Sequence, residues 1–324
     1  MRPDPLGVRA AASWILTQTS LVRVDDAALD RLRRRWLSEG PPGPPDWGDG
    51  WHWRGSDADT AMFVVVLDTL NHCFWPGTPR WSVTGPEGQP VNGYRALSLT
   101  LSRRAGEGRR DLLEANRLAT ITADDLADFL GGTGELPWRD ERAAHLRNLG
   151  TWLRDAWDGQ FLKVLEQADG SGVALARTVL EALPSFRDIP VWQGRSLPML
   201  KRLQILVADL AAAFGGSGPG AFRDLDALTA FADYKVPQVL EALGVLEYAS
   251  PLKDRLRSGE ELPWGSEAEL AIRAGTIAAV DALADALVLA GVPARPMDVD
   301  VHLWTTGQGM ALPLPYHRTR TWFY

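Results

Sequence analysis

Phe231-Ala232-Asp233-Tyr234-Lys235-Val236-Pro237-Gln238-Val239-Leu240 runs directly into Glu241-Ala242-Leu243-Gly244-Val245-Leu246-Glu247-Tyr248. Pro237 reads as the first position of a helix, because its fixed φ suits the first turn, where an N–H has no partner anyway. An acid just ahead of that turn lies at the positive end of the peptide dipoles, so Asp233 is expected to be held ionised. Aromatic rings on both sides of a fixed carboxylate suit a flat, hydrogen-bonding ligand, and the arrangement reads as a nucleobase pocket. The same residues have an ordinary structural reading. Asp is a common helix-capping residue, and Phe231 and Tyr234, three apart, fit one helical face of a core.

Outward from this stretch the chain is helix-rich. Upstream, Leu203, Leu206, Leu210 and Phe214 form one stripe of a helix over 200–214, ended by Gly215-Gly216. The glycines at 215–220 follow a helix instead of opening one and lack a Gly-Lys-Ser/Thr ending, which argues against a nucleotide P-loop. Downstream, Ser266-Glu267-Ala268-Glu269 fits a capping box opening a helix over 267–289, with Glu269 and Arg273 as an i, i+4 ion pair.

Helical spacing also predicts helices over 5–17, 26–36, 57–71, 94–105, 112–116, 123–130, 141–157, 161–167 and 173–183. For 57–71 the cap candidates are Asp57, Asp59 and Thr60; for 123–130 the cap is Thr122. The run Gly40-Pro41-Pro42-Gly43-Pro44-Pro45 predicts an extended loop delivering Trp47, Trp51, His52 and Trp53, a lid or pocket wall. A Gly-Pro-Glu-Gly turn within 81–93 predicts one small β-hairpin. No strand–helix alternation and no solenoid repeat is visible, so the expectation is a mainly α fold forming a single compact unit over 1–324.

Composition narrows the function classes. Lys and Arg number 34 against 41 Asp and Glu, a formal net charge of −7, which opposes binding of duplex or tRNA and leaves a small phosphorylated ligand as partner. The one cysteine, Cys73, excludes an internal disulfide and fits a reducing compartment. No leader-like apolar start is seen, and the longest apolar run, Ala61 to Leu67, is too short to span a bilayer; the expectation is a cytoplasmic protein with no membrane partner. The five His are scattered and no Cys/His spacing suggests a metal. Fourteen Trp spread through the whole chain read mostly as packing residues.

Six motifs in one order, from about residue 60 to the C-terminus, resemble the queuosine salvage protein family, the queuosine 5′-phosphate N-glycosylase/hydrolases. They are Leu70-Asn71-His72-Cys73-Phe74-Trp75, with His72 departing from the family pattern; Lys201-Arg202-x-Gln204-Ile205-Leu206-Val207-Ala208-Asp209; the Phe231–Tyr248 stretch; Glu269, Ile272 and Arg273, with Ala271 departing; Asp300-Val301-His302-Leu303-Trp304; and Pro315-Tyr316-His317-Arg318-Thr319-Arg320. Thr305-Thr306 stand where the family commonly has Asp-Tyr, so a ligand role for that acid is missing or relocated.

The resemblance implies an architecture similar to helix-hairpin-helix DNA glycosylases and hydrolysis of queuosine 5′-phosphate to queuine and ribose 5-phosphate; the expectation beside it is a monomer working without cofactor. Asp233 is then the catalytic acid, stabilising positive charge at the anomeric carbon or attacking it. Asp300, with Asp209 behind it, is the candidate for the guanine-like edge and the cationic aminomethyl group. His52 would bond to base or cyclopentenediol, and Phe231 and Tyr234 would wall the base. Lys201 leads for the phosphate, with Arg202, His317 and Arg318 as alternatives, and Glu269 and Arg273 are second-rank site candidates. Solvated-helix, turn and surface-loop roles stand beside these for Asp209, Asp300 and His52. A glycosylase for ordinary purines or DNA and a non-catalytic queuine binder are the alternatives; the chain has no convincing Leu-Pro-Gly-Val-Gly hairpin for duplex binding.

Overall fold

The computed structural model describes residues 2–40, 43, 47 and 50–324, so most of the proline run at 41–45 lies outside the described residues. The chain is mainly α-helical, with three short antiparallel strand pairs among the described residues. No helix among them is long and apolar enough to cross a membrane. Contacts divide the chain into two compact units, each assembled from separated segments.

The first unit comprises Met1–Pro45, Asp188–Gln204 and Asp224–Arg320. It is built on the 23-residue helix Glu267–Leu289, apolar on most of its circumference and therefore buried on most sides. Helices Val8–Gln18, Asp26–Glu39, Lys235–Ala242 and Pro296–Thr306 pack against it. Gly275 lets a strand in: a Cβ there would stand 2.7 Å from Val22 Cγ1, so any larger residue would push Val22–Val24 away. That strand pairs with Leu246–Tyr248, with Val22 opposite Tyr248 and Val24 opposite Leu246. This pair and the Val191–Trp192/Arg195–Ser196 pair add to the one hairpin that the sequence predicts. Helix Pro296–Thr306, with Pro at its start, also goes beyond the sequence reading, and it puts Asp300 on a helix instead of in a turn.

The second unit comprises Asp46–Arg187, Ile205–Arg223 and Thr321–Tyr324. At its centre helix Asp57–Leu70 is buried continuously from Thr60 to Leu70. Its cap is Ser56, whose side chain accepts the Asp59 N–H, instead of the Asp57, Asp59 or Thr60 expected from sequence; Ser56 has the extended backbone a cap requires. Helices Gly93–Gly106, Arg139–Ala156 and Phe161–Ala168 cover it. Thr122 caps Ala123–Leu130 in a reciprocal box with Asp125. The predicted hairpin is present, Ser82–Thr84 against Pro90–Asn92. Helix Lys201–Ala213 belongs to the first unit through Gln204 and to the second from Ile205.

Candidate active site

The first unit buries a stretch of irregular backbone, Leu228 to Asp233. Buried backbone outside helices and sheets must find other partners for its N–H and C=O groups. Here side chains supply them almost residue by residue. Gln204 Oε1 accepts the Thr229 N–H at 2.8 Å, Asp300 Oδ1 accepts the Phe231 N–H at 3.0 Å, and Arg273 Nε donates to the Ala232 carbonyl at 3.0 Å. Asp233 Oδ1 then accepts the Lys235 N–H at 2.7 Å. The helix that follows is Lys235–Ala242, so Pro237 is its third residue and not its first. The expected relation survives that shift: the Asp233 carboxylate sits on the helix's first N–H, at the positive end of its dipoles.

Lys201 Nζ lies 3.6 Å from Asp233 Oδ2, with side-chain exposures of 7% and 12%. That distance is an ion pair but exceeds a hydrogen bond, so the oxygen keeps acceptor capacity. Asp300 is buried, and its carboxyl is pushed up to about 8 by desolvation and then by the negative charge of Asp233, against the Phe231 N–H and Lys201. Near neutral pH it is mostly the protonated acid. Lys235, half-buried, is lowered by desolvation and raised by the charge of Asp233. Phe231 is buried, and the ring of Tyr234 tilts against Tyr316 at 5.0 Å between centroids.

Arg273 is 0% exposed and holds this loop from behind. Besides the Ala232 carbonyl it donates to Asp188 through both Nη atoms and to Glu269 Oε1 at 3.1 Å. The predicted Glu269–Arg273 pair therefore forms inside the unit, where Arg273 can act on a ligand only through the residues it holds. The capping box of that helix is half formed: Ser266 accepts the Glu269 N–H, while Glu269 Oε2 accepts from Gly265. His317 is buried, its imidazole lowered to about 3 by desolvation and by the nearby Arg273 charge. Arg318 is exposed, its carbonyl accepting the Leu262 N–H at 2.7 Å.

In the second unit His52 stacks on Trp47 at 4.0 Å between centroids, and its Nε2 lies 2.7 Å from the Tyr94 hydroxyl. Ser98 and Ser102 both donate to the Trp51 carbonyl, tying the tryptophan-rich segment to helix Gly93–Gly106. Asp209, on Lys201–Ala213, is half-buried. The Leu70–Phe74 turn is gripped by the fully buried Arg142, which donates to the carbonyls of Pro137, Leu70, His72 and Cys73 and stands over the Phe74 ring at 4.9 Å. The carbonyl of Tyr324 accepts the Cys73 N–H at 3.0 Å.

The first unit thus brings Asp233, Lys201, Asp300 and Phe231 together. Sequence reasoning did not single out Asp188, Trp264, Lys235 or Tyr316 for a role. Gln204, Lys235 and Tyr316 stand inside motifs quoted above, whereas Asp188 has no local signal at all. Among the described residues no group of three or more His, Cys, Asp or Glu is placed to hold a metal ion.

A helical protein with an ion-paired, nearly buried carboxylate beside an uncharged carboxyl has the parts of a hydrolase for glycosidic bonds. Residues 51–324 match the family described as Queuosine salvage protein. A queuosine 5′-phosphate N-glycosylase/hydrolase of Sphaerobacter thermophilus is 44% identical over 99% of this chain and 98% of its own. Enzymes of the same name from Dictyostelium discoideum and Bos taurus are 32% and 30% identical, each over 98% of both chains. The chain belongs to the queuosine salvage protein family.

Proposed function

We propose that this chain hydrolyses the N-glycosidic bond of queuosine 5′-phosphate, releasing queuine and ribose 5-phosphate. Full-length likeness to relatives bearing that activity in their names supports the reading. The observation that carries it is Asp233, pinned by the Lys235 N–H and flanked by Lys201, with one carboxylate oxygen still able to accept.

As the C1′–N bond breaks, its electron pair goes to the base and positive charge builds on C1′ and the ring oxygen. The Asp233 carboxylate stabilises that charge, or bonds to it; water then adds its oxygen to C1′, and the proton it gives up ends on the departing base. A 7-deazaguanine has carbon at position 7, so it cannot be activated by protonation there. The uncharged carboxyl of Asp300 supplies a hydrogen-bond donor to the base instead, since Oδ1 already accepts from Phe231. Phe231 and Tyr234 wall the base, and Lys201 with Arg202 or Arg318 holds the phosphate. His317, neutral above about 3, contributes hydrogen bonds and no charge. With a net charge of −7 the chain takes the free nucleotide and not tRNA, as a cytoplasmic monomer without cofactor.

Incubation of the purified chain with the nucleotide, read by the mass of free queuine, tests the reaction. Asp233→Asn should lower kcat by at least about 10³-fold while nucleotide binding survives. Undiminished hydrolysis by that variant removes the proposal, and binding without turnover by the unaltered chain favours a carrier.

A further inference from the structure

We infer that Asp188 is a positioning residue for this reaction: it sets the Lys201–Asp233 separation by holding the start of the lysine-bearing helix and, through Arg273, the loop that carries the aspartate. The inference rests on the reading of Asp233 as the catalytic acid. Asp188 is 1% exposed and uses side chain and main chain together. Its Oδ2 accepts the backbone N–H of Lys201 at 3.3 Å, and its carbonyl accepts the N–H groups of Met199 at 2.9 Å and Leu200 at 3.2 Å.

Leu200, immediately before the lysine, has φ +52, a left-handed conformation that a branched-chain residue adopts only when its surroundings impose it. The Asp188 bonds are those surroundings, and they aim helix Lys201–Ala213. On its other side the same carboxylate takes both Nη atoms of Arg273, whose Nε holds the Ala232 carbonyl one residue before Asp233. A planar guanidinium fixed by a fork of two bonds cannot swing, so the Ala232 carbonyl is located relative to Asp188. One carboxylate thus references the lysine and the aspartate to a common point. Trp264 Nε1 also donates to Oδ1 at 3.1 Å, a neutral contact.

Steady-state kinetics and thermal melts of full-length Asp188→Asn, Arg273→Lys, Trp264→Phe and Asp233→Asn test this. Asp188→Asn keeps the side chain's size and one acceptor but loses the charge-assisted fork; kcat should fall about 10²-fold with KM within about threefold. Arg273→Lys keeps the charge and loses the planar fork, and should lose at least about tenfold in kcat. Trp264→Phe should stay within about twofold of the parent. A folded Asp188→Asn with parental kcat, or with its loss carried by KM alone, overturns the inference, as does an equal kcat loss in Trp264→Phe. If Asp188→Asn shows no cooperative melt, Arg273→Lys decides: a parental kcat there overturns it. Activity retained by Asp233→Asn would strike the functional reading itself, whereas an inactive Asp233→Asn beside a normal Asp188→Asn strikes only the positioning role.

Discussion

Each unit has a fully buried arginine holding a piece of irregular backbone, and the two are compensated differently. Arg142, in the second unit, donates to four main-chain carbonyls and lies over the Phe74 ring. Arg273, in the first unit, has one carbonyl and two carboxylates. Carbonyl dipoles do not titrate, so these four bonds serve to fix a turn. Carboxylates do titrate and carry net charge, so the Arg273 cluster couples backbone geometry to the electrostatics around Asp233. The difference separates an arginine used as a structural clamp from one used as a reference point for a charged site.

The sharpest way to break that distinction is to remove both guanidiniums in turn. Arg273→Met strands Asp188 and Glu269 in the interior, and loss of one partner from a buried charge cluster costs about 3–5 kcal/mol. A carboxylate left unpaired in the interior is costlier the more it is ionised, so the variant's deficit against the parent should widen from pH 5 to pH 8. Arg142→Met strands carbonyls, at about 1–3 kcal/mol for each left unpaired. Its deficit should change less between pH 5 and pH 8 than that of Arg273→Met. Denaturant melts at the two pH values decide, and a deficit of Arg142→Met that widens as steeply as that of Arg273→Met would collapse the comparison.

How much of this was legible in the sequence follows from the distance over which each feature is encoded. Helix Glu267–Leu289 was read to the residue, because its apolar run and its Ser266 cap are local. The strand pair Val22–Val24 with Leu246–Tyr248 was invisible: three residues show no alternation, and their partner lies across most of the chain. The same holds at the site. Asp233, Lys201 and Asp300 stand in motifs that resemblance marks, and the first two sit at helix starts that local chemistry also marks. Asp188 finds its partners 13, 76 and 85 positions away, a constellation that only folding assembles. Arg273 was visible as half of an i, i+4 pair, and that local explanation concealed its bonds to Ala232 and Asp188.

Smaller effects should appear in the pH profile of the first unit, where His317 and Asp300 pull in opposite directions. The folded-state pKa of His317, about 3, lies below the ordinary 6.5, so its contribution is complete above 6.5 and lost as pH falls toward 3. That of Asp300, about 8, lies above the ordinary 3.8, so its contribution is complete below 3.8 and lost as pH rises through 8. Each group contributes a slope of at most about 1.4 kcal/mol per pH unit within its window, and between 3.8 and 6.5 the two slopes oppose. Replacing His317 by Gln should therefore unmask a decline in stability from pH 4 upward.

The smallest effect should come from Asp300→Asn, because Asn can still accept the Phe231 N–H and matches the protonated acid in shape and charge. In the parent the unfolded chain ionises Asp300 from 3.8 upward while the folded chain keeps its proton to about 8, and that difference weakens the unit across the window; in the variant it is gone. Melting temperatures should coincide below pH 3.8 and separate by about 2–4 °C for each kcal/mol regained as pH approaches 8, with the variant higher. Arg142→Met offers the contrast from the second unit, since a smaller divergence between pH 5 and 8 is expected there. A variant of Asp300 that melts below the parent at pH 8 would mean that the carboxylate is ionised and stabilising in the folded chain, and Asp300 could not then be the uncharged donor to the leaving base.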